Sequence, residues 1–270
     1  MASKPLGALS AAIILAVILT AIFASLIAPY SYTEKAGLAL KGPSASHIMG
    51  TDKFGRDQFS RIIYGSRSTV KVGLGAAALA TIVAVAVGVT SGFIGGLFDS
   101  IVQRIVEALM SLPWMVVVLA VMTFIGSGTS TVILVLGLLA APTMSRVIHG
   151  ATLSVREMAY IEAGRAISAS PARLIVRHVL PNILAPIIVM GTLAVGNAIL
   201  AEAALSFLGF GITPPTPSWG QELSGSGRQF MQVAPWLAIF PGLAISITVF
   251  SFNMLGDALR DVLDPRLRNA

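Results

Sequence analysis

The chain has 270 residues, 55% hydrophobic and only 11% charged, with a mean hydropathy of +0.85, which excludes an ordinary soluble domain and indicates a polytopic membrane protein. Its formal charge of +6 fits Lys and Arg held at a membrane surface, because no basic patch is interleaved with aromatics as nucleic-acid binding requires. The absence of cysteine excludes disulfides, thiolate metal sites and cysteine nucleophiles.

After a short polar start with Lys4, residues Leu6–Ala28 form an uncharged apolar run long enough for a bilayer core of about 30 Å. It is too long for a usual signal-peptide core and lacks a clean small-x-small cleavage site, so it reads as a retained first span. Pro29–Ser68 is the longest polar segment. Within it, His47-Ile48-Met49-Gly50-Thr51-Asp52-Lys53-Phe54-Gly55-Arg56-Asp57 offers turns at Gly50 and Gly55, with Asp52 and Asp57 as side-chain caps. An amphipathic start follows at Phe59, Ile62, Ile63 and Tyr64. Six Lys/Arg against three acids in this segment oppose the positive-inside rule if it lies outside; paired acids and a folded cap reduce the conflict.

Thr69–Leu97 is the second span, with Gly88, Gly92 and Gly96 four residues apart. Such a stripe lets another helix approach closely, within the chain or at a subunit interface. Asp99, Arg104 and Glu107 mark a short connection, and Arg104 with Glu107 reads as an interfacial pair. Leu112-Pro113-Trp114 opens the third span, Trp114–Ile125, and Thr131–Val147 forms the fourth beyond the uncharged turn at 126–130. The fourth contains Pro142, a kink candidate.

Residues 160–182, YIEAGRAISASPARLIVRHVLPN, then interrupt the apolar chain. They read as two short helices: Tyr160–Ser168, able to lie along a membrane surface, and Pro171–Leu180, with Ser170 as N-cap and Pro171 at the first helical position. Arg173 and Arg177 lie one turn apart; Pro181 is expected to stop the second helix, and Asn182 to cap the next.

Ile183–Phe207 is the fifth span, ended by Leu208-Gly209-Phe210-Gly211-Ile212-Thr213-Pro214-Pro215; a low-charge loop with Ser218-Trp219-Gly220 and a sixth span, Trp236–Leu259, follow. Glu202, an acid in an apolar helix, is open to two readings, a structural hydrogen bond or a substrate contact. Six spans with both termini inside place the 160–182 loop in the cytoplasm, in agreement with the five arginines between Arg146 and Arg177. The resulting division is a cytoplasmic start and first span (1–28), an external loop (29–68), and a five-helix core (69–270) carrying the 156–182 loop.

In that loop, Glu162-Ala163-Gly164, then Ser168, then His178-Val179-Leu180-Pro181 resembles the EAA loop of ABC-importer permeases. The pattern there is Glu-Ala-Ala, three residues, Gly, nine residues, Ile, one residue, Leu-Pro. Arg165-Ala166-Ile167 and Arg177-His178-Val179-Leu180-Pro181-Asn182 are similar to the dipeptide/oligopeptide/nickel branch. Three further runs resemble that branch: the Gly50–Asp57 wording (GTDxxGRD), Glu202–Gly209, and Arg260-Asp261-Val262-Leu263-Asp264-Pro265-Arg266. Two positions depart from the pattern: Gly164 stands where Ala is expected, and Ser168 where the Gly is. Ser tolerates positive φ less well, so a differently built turn is expected.

The resemblance implies an all-α type I permease bundle of about six transmembrane helices in a bacterial-type inner membrane. It further implies a cytoplasmic coupling helix, a homologous second permease chain, two cytoplasmic ATPase subunits that bind ATP and Mg, and an external substrate-binding protein. The coupling residues it implies are Glu162, Ala163, Gly164, Arg165, Ala166, Ser168, Arg173, Arg177, His178 and Pro181. Among these, Arg173 and Arg177 are expected to act more through topology and lipid head groups.

The chain itself is expected to be a transport subunit, with no cofactor, metal or nucleic-acid site and no catalytic residue. None of its five lysines follows a Gly, so it has no P-loop. No histidine pair or carboxylate cluster has metal-ligand spacing. Gly126-Ser127-Gly128 with His149 or His178 makes no serine-protease site, since these belong to opposite membrane faces. An ion-coupled secondary transporter using Glu202 and Glu107 is the alternative; it leaves the loop unexplained and lacks inverted repeats.

Overall fold

A chain this apolar satisfies its backbone in lipid by forming helices. The computed structural model describes residues 5–263, and among them there is no strand beyond a single bridge between Thr51 and Asp57. The Lys4 start and the Asp264-Pro265-Arg266 end of the closing motif lie outside the described residues. The first span is split at Phe23 into α1 (Pro5–Ile22) and α2 (Ala24–Ile27). Arg67 serves the break, its Nε donating to the Ala21 carbonyl at 2.7 Å and its Nη2 to that of Ile22 at 3.0 Å.

The next helix, α3 (Gln58–Ile94), has 37 residues and is about 55 Å long. It starts well before the expected Thr69, because the polar residues of its first turns find partners in a folded cap. Asp57 is its N-cap, accepting from the Ser60 N–H and Oγ, both at 2.8 Å, while His47 Nδ1 lies 3.0 Å from its other oxygen. Gly50 and Gly55, both with φ of 76°, make the expected turns. Asp52 accepts from the N–H groups of Phe54 and Arg56 and from Arg56 Nε. Arg61 is buried in a fork with Glu222, its Nε 3.0 Å from Oε2, and its Nη1 donates to the Tyr32 carbonyl at 2.7 Å.

Beyond α3, the expected short connection is a helix, α4 (Gly96–Ser111), followed at an 87° bend by α5 (Trp114–Ile125). Its polar residues pair across the chain: Asp99 Oδ1 lies 2.8 Å from His149 Nε2, and Gln103 Nε2 donates to Ser91 Oγ. Glu107 pairs with Arg104 at 3.1 Å and Arg146 at 3.5 Å. Leu97, Ile101 and Ile105 remain exposed on the other side, so the charges read as a loop are one face of an amphipathic helix. The 12 residues of α5 rise only about 18 Å, less than a bilayer core.

From the turn at 126–128, α6 (Thr129–Arg156) runs unbroken through Pro142 and nine residues past Val147. The charged interruption contains α7 (Ala159–Ala166), α8 (Pro171–Leu174), a π turn (Ile175–Val179) and α9 (Leu180–Asn182). Next come α10 (Leu184–Phe207), the short α11 (Trp219–Glu222), a second π turn (Leu223–Gly227) and α12 (Trp236–Leu263). Among the described residues, five helices are long and apolar enough to cross a membrane, and the bent α4–α5 pair makes a sixth when counted as one span.

At the centre, α3 packs along α6, with α10 and α1 on its other sides and α12 closing against α1 and α10. α3 and α6 approach closely at the glycine stripe: a Cβ on Gly88 would stand 2.6 Å from the Ser145 carbonyl oxygen, and one on Gly92 3.1 Å from Thr152 Cβ. Both therefore serve packing within the chain. Gly96 does not belong to the stripe. It has φ of 63° and nothing near its Cβ position, and with Gly95 at φ 73° it forms the turn from α3 into α4, a backbone that glycine adopts freely.

Two helix ends share one geometry. After α10, Gly209 (φ 87°) donates its N–H to the Ser206 carbonyl and Phe210 to that of Leu205. After α7, Ser168 (φ 57°) donates to Arg165 and Ala169 to Gly164. Both are Schellman turns. Contrary to expectation, the turn at Ser168 keeps the form a glycine would give it, with a side chain at a left-handed position that costs about 1–2 kcal/mol.

Two outcomes follow from this packing. Ser168→Gly should tighten its turn by about 0.5–1 kcal/mol, since relief of the left-handed backbone exceeds the added freedom of the unfolded chain. Hydrogen exchange should show severalfold slower amides at 168–169, and unchanged or faster exchange contradicts the assignment. Arg61→Leu leaves Glu222 buried without its partner and should cost about 3–5 kcal/mol. In thermal unfolding in detergent, the double change Arg61→Leu, Glu222→Leu should recover most of that loss.

Candidate functional site

Beyond the ends of α3 and α6, residues 157–183 form a loop with two unlike faces. Its inner face is apolar: Ile161, Leu174, Val179 and Ile183 are buried in one cluster with Phe93 of α3 and Ile148 of α6. Gly164 permits this packing, since a Cβ there would stand 2.7 Å from Leu174 Cδ2. The Gly in place of Ala thus lets α8 press on α7. Arg165 stacks its guanidinium 5.3 Å from the Phe93 ring centre, and Arg156 Nη1 donates to the Gly92 carbonyl at 2.9 Å.

On the outer face, the structure brings together the exposed Glu162, Ala163, Arg165, Ala166, Ser168, Arg173, Arg177 and Pro181; Gly164 and His178 are half-buried. Two exposed apolar side chains belong with them: Ile167 at 80%, part of the family-like Arg165-Ala166-Ile167 run, and Val176 at 65%, which the sequence did not single out. Helical spacing gave no such signal for Val176, which by spacing shares a face with the buried Val179 three residues on; only the fold shows it on the outside. A surface mixing exposed aliphatics with arginines and small residues has the chemistry of an interface.

The second helix of the loop does not stop at Pro181. Having no N–H, Pro181 cannot bond to the carbonyl four residues earlier, and the chain widens into a π turn in which the Leu180 N–H reaches the Ile175 carbonyl. Asn182 likewise does not cap α10; its Nδ2 donates back to the His178 carbonyl at 2.6 Å, and the cap position is Ile183.

Between α3, α6, α10 and the α4–α5 bend lies a cavity of about 740 Å³. Its walls are small or flexible apolar residues, among them Ala76, Ala80, Met144, Met190 and Ala201, with Pro142 on one side. Glu202 is not among its lining residues. Fully buried, it accepts from Ser206 Oγ and Ser218 Oγ at 2.8 Å each. Ser218 in turn caps α11, so Glu202 Oε1 links α10 to the loop before α12, while its buried Oε2 has no hydrogen-bond partner among the described residues.

The sequence profile described as binding-protein-dependent transport system inner membrane component matches residues 44–269. A dipeptide transport system permease protein of Alkalihalophilus pseudofirmus is 42% identical over 95% of this chain and 84% of its own length. A glutathione transport system permease protein of Escherichia coli is 38% identical over 96% and 86%. Among solved structures, one chain of the inward-facing methionine ABC transporter MetNI superposes with a TM-score of 0.60 at 19% identity, over 76% of this chain and 97% of that one; this likeness shows a shared fold. The chain therefore belongs to the binding-protein-dependent transport system inner membrane component family and is a permease subunit of an ABC importer.

Proposed function

We propose that this permease forms one half of a pathway for dipeptides or short peptides, and that its 160–182 loop docks on an ATPase subunit. The peptide assignment rests on the relatives named for dipeptide and glutathione transport. The docking assignment rests on one observation: a face carrying Glu162, Arg165, Ile167 and Val176 stands on a base packed into the same cluster as α3 and α6.

The assembly is completed by a homologous second permease, two cytoplasmic ATPases that bind ATP and Mg, and an external substrate-binding protein. Both termini and the loop lie on the cytoplasmic side of the inner membrane, and the residue 29–57 cap lies outside. Closure of the ATPases on ATP displaces the two loops, and the helices keyed to them swing the cavity from one side to the other. Ala163 lets an ATPase surface approach the backbone, while Glu162 and Arg165 orient it through charge-assisted bonds. Arg173 and Arg177 act more through topology and anionic head groups.

Glu162→Arg and Ala163→Trp should insert normally yet lower complex recovery or coupled transport at least tenfold, because both alter the docking face and neither is needed inside the bilayer. Single changes at Arg173 or Arg177 should be milder. Complex recovery, ATP hydrolysis and peptide uptake are measured together on each purified variant. Parent-like values for both Glu162→Arg and Ala163→Trp would reduce the loop to a basic tether.

A further inference from the structure

The cavity holds a polar group that the pathway reading leaves without a task. Its wall contains no charged residue, and only Thr143, Asn197 and the indole of Trp114 bring hydrogen-bonding groups to it. Asn197 lies near the middle of α10, roughly 20 Å and 15 Å along the helix from its two ends. Its side chain is exposed and has no hydrogen-bond partner among the described residues. A carboxamide at that depth is unfavourable against lipid, and polar groups in spans face a bundle interior or a wet cavity. The lining places it on the cavity.

We propose that Asn197 is a specificity-determining residue whose carboxamide pairs with a backbone amide of the peptide in transit, an inference that rests on the peptide reading above. A carboxamide offers one acceptor and two donors, complementary to the carbonyl and N–H that every peptide carries whatever its side chains. The surrounding alanines, Ala76, Ala77 and Ala80 on α3 and Ala198, Ala201 and Ala204 on α10, leave space for side chains of different size. With no charge in the wall, neither cationic nor anionic side chains are favoured. The pairing recognises what is common to peptides, and the walls tolerate what varies.

The test uses the complete transporter in proteoliposomes with its binding protein, whose own preference is the same in every assay and cancels between variants. Asn197→Leu should recover the full complex but take up dialanine about tenfold more slowly at subsaturating peptide, and Asn197→Gln should restore much of the loss. Asn197→Asp should raise the uptake ratio of lysyl-alanine over glutamyl-alanine about tenfold, a change that a packing role does not produce. Parent-like uptake by Asn197→Leu, or an unmoved ratio in Asn197→Asp, overturns the assignment. Loss of the second permease from the Asn197→Leu complex also overturns it, in favour of a bond between subunits. If the parent complex takes up no dipeptide, the peptide reading itself fails and this inference fails with it.

Discussion

At Gly88 of α3 a side chain would run into the backbone of Ser145 and His149 on α6, and at Gly92 it would crowd the side chains of Thr152 and His149, so the two helices are keyed closely together there. A contact of this kind has few alternative arrangements, because close-packed interiors do not deform continuously. It also continues past the membrane-spanning part. The cluster containing Val89, Phe93 and Ile148 runs without interruption into Ile161, Leu174, Val179 and Ile183 of the loop. The proposed docking surface is thus the outer skin of the same packed unit that holds α3 against α6. A displacement applied at Glu162 or Val176 is borne by helix packing rather than absorbed by a slack connection.

At its other end, α3 is held by charge. Arg61 from its first turns meets Glu222 from the loop before α12, and Asp52 gathers Arg56 and two backbone N–H groups. These contacts account for the three arginines among the six basic residues of 29–68, a segment where orientation rules disfavour them if it lies outside. Arg61 is buried and paired, Arg56 is paired, and Arg67 caps the carbonyls at the end of α1. Such pairs add little net stability over apolar substitutes but are costly to break, so they fix which parts meet. One helix of about 55 Å therefore links a salt-bridged cap to a packed loop, with the cavity along its middle.

Spans were legible where the pattern was local. Trp114–Ile125 and the Phe207 end of α10 coincide with their sequence limits, because an apolar run closed by Gly or Pro needs no tertiary information. The start of α3 and the whole of α4 were hidden for the opposite reason. Their polar residues look like loop until Glu222, His149 and Ser91, all distant in sequence, supply partners. Ser168 was legible as a problem but not its solution: propensity disfavours serine at positive φ, and the Schellman bonds with the packing of Leu174 override it. Asn197 carried no local signal, since one Asn in an apolar run is distinguished only by the cavity that tertiary packing builds around it.

This packing predicts that the loop and the α3–α6 pair move as one body. Because the chain has no cysteine, pairs of spin labels can be introduced without background from this chain, one at the exposed Ala172 in the loop and one at the exposed Ile82 midway along α3. Pulsed electron resonance on the assembled transporter should show the Ala172–Ile82 distance unchanged between nucleotide-free and ATP-bound states, while the distance from Ala172 to the partner permease's loop shortens. An Ala172–Ile82 distance that shifts as much as the distance between loops would contradict the account, because the loop would then move on the helices instead of with them.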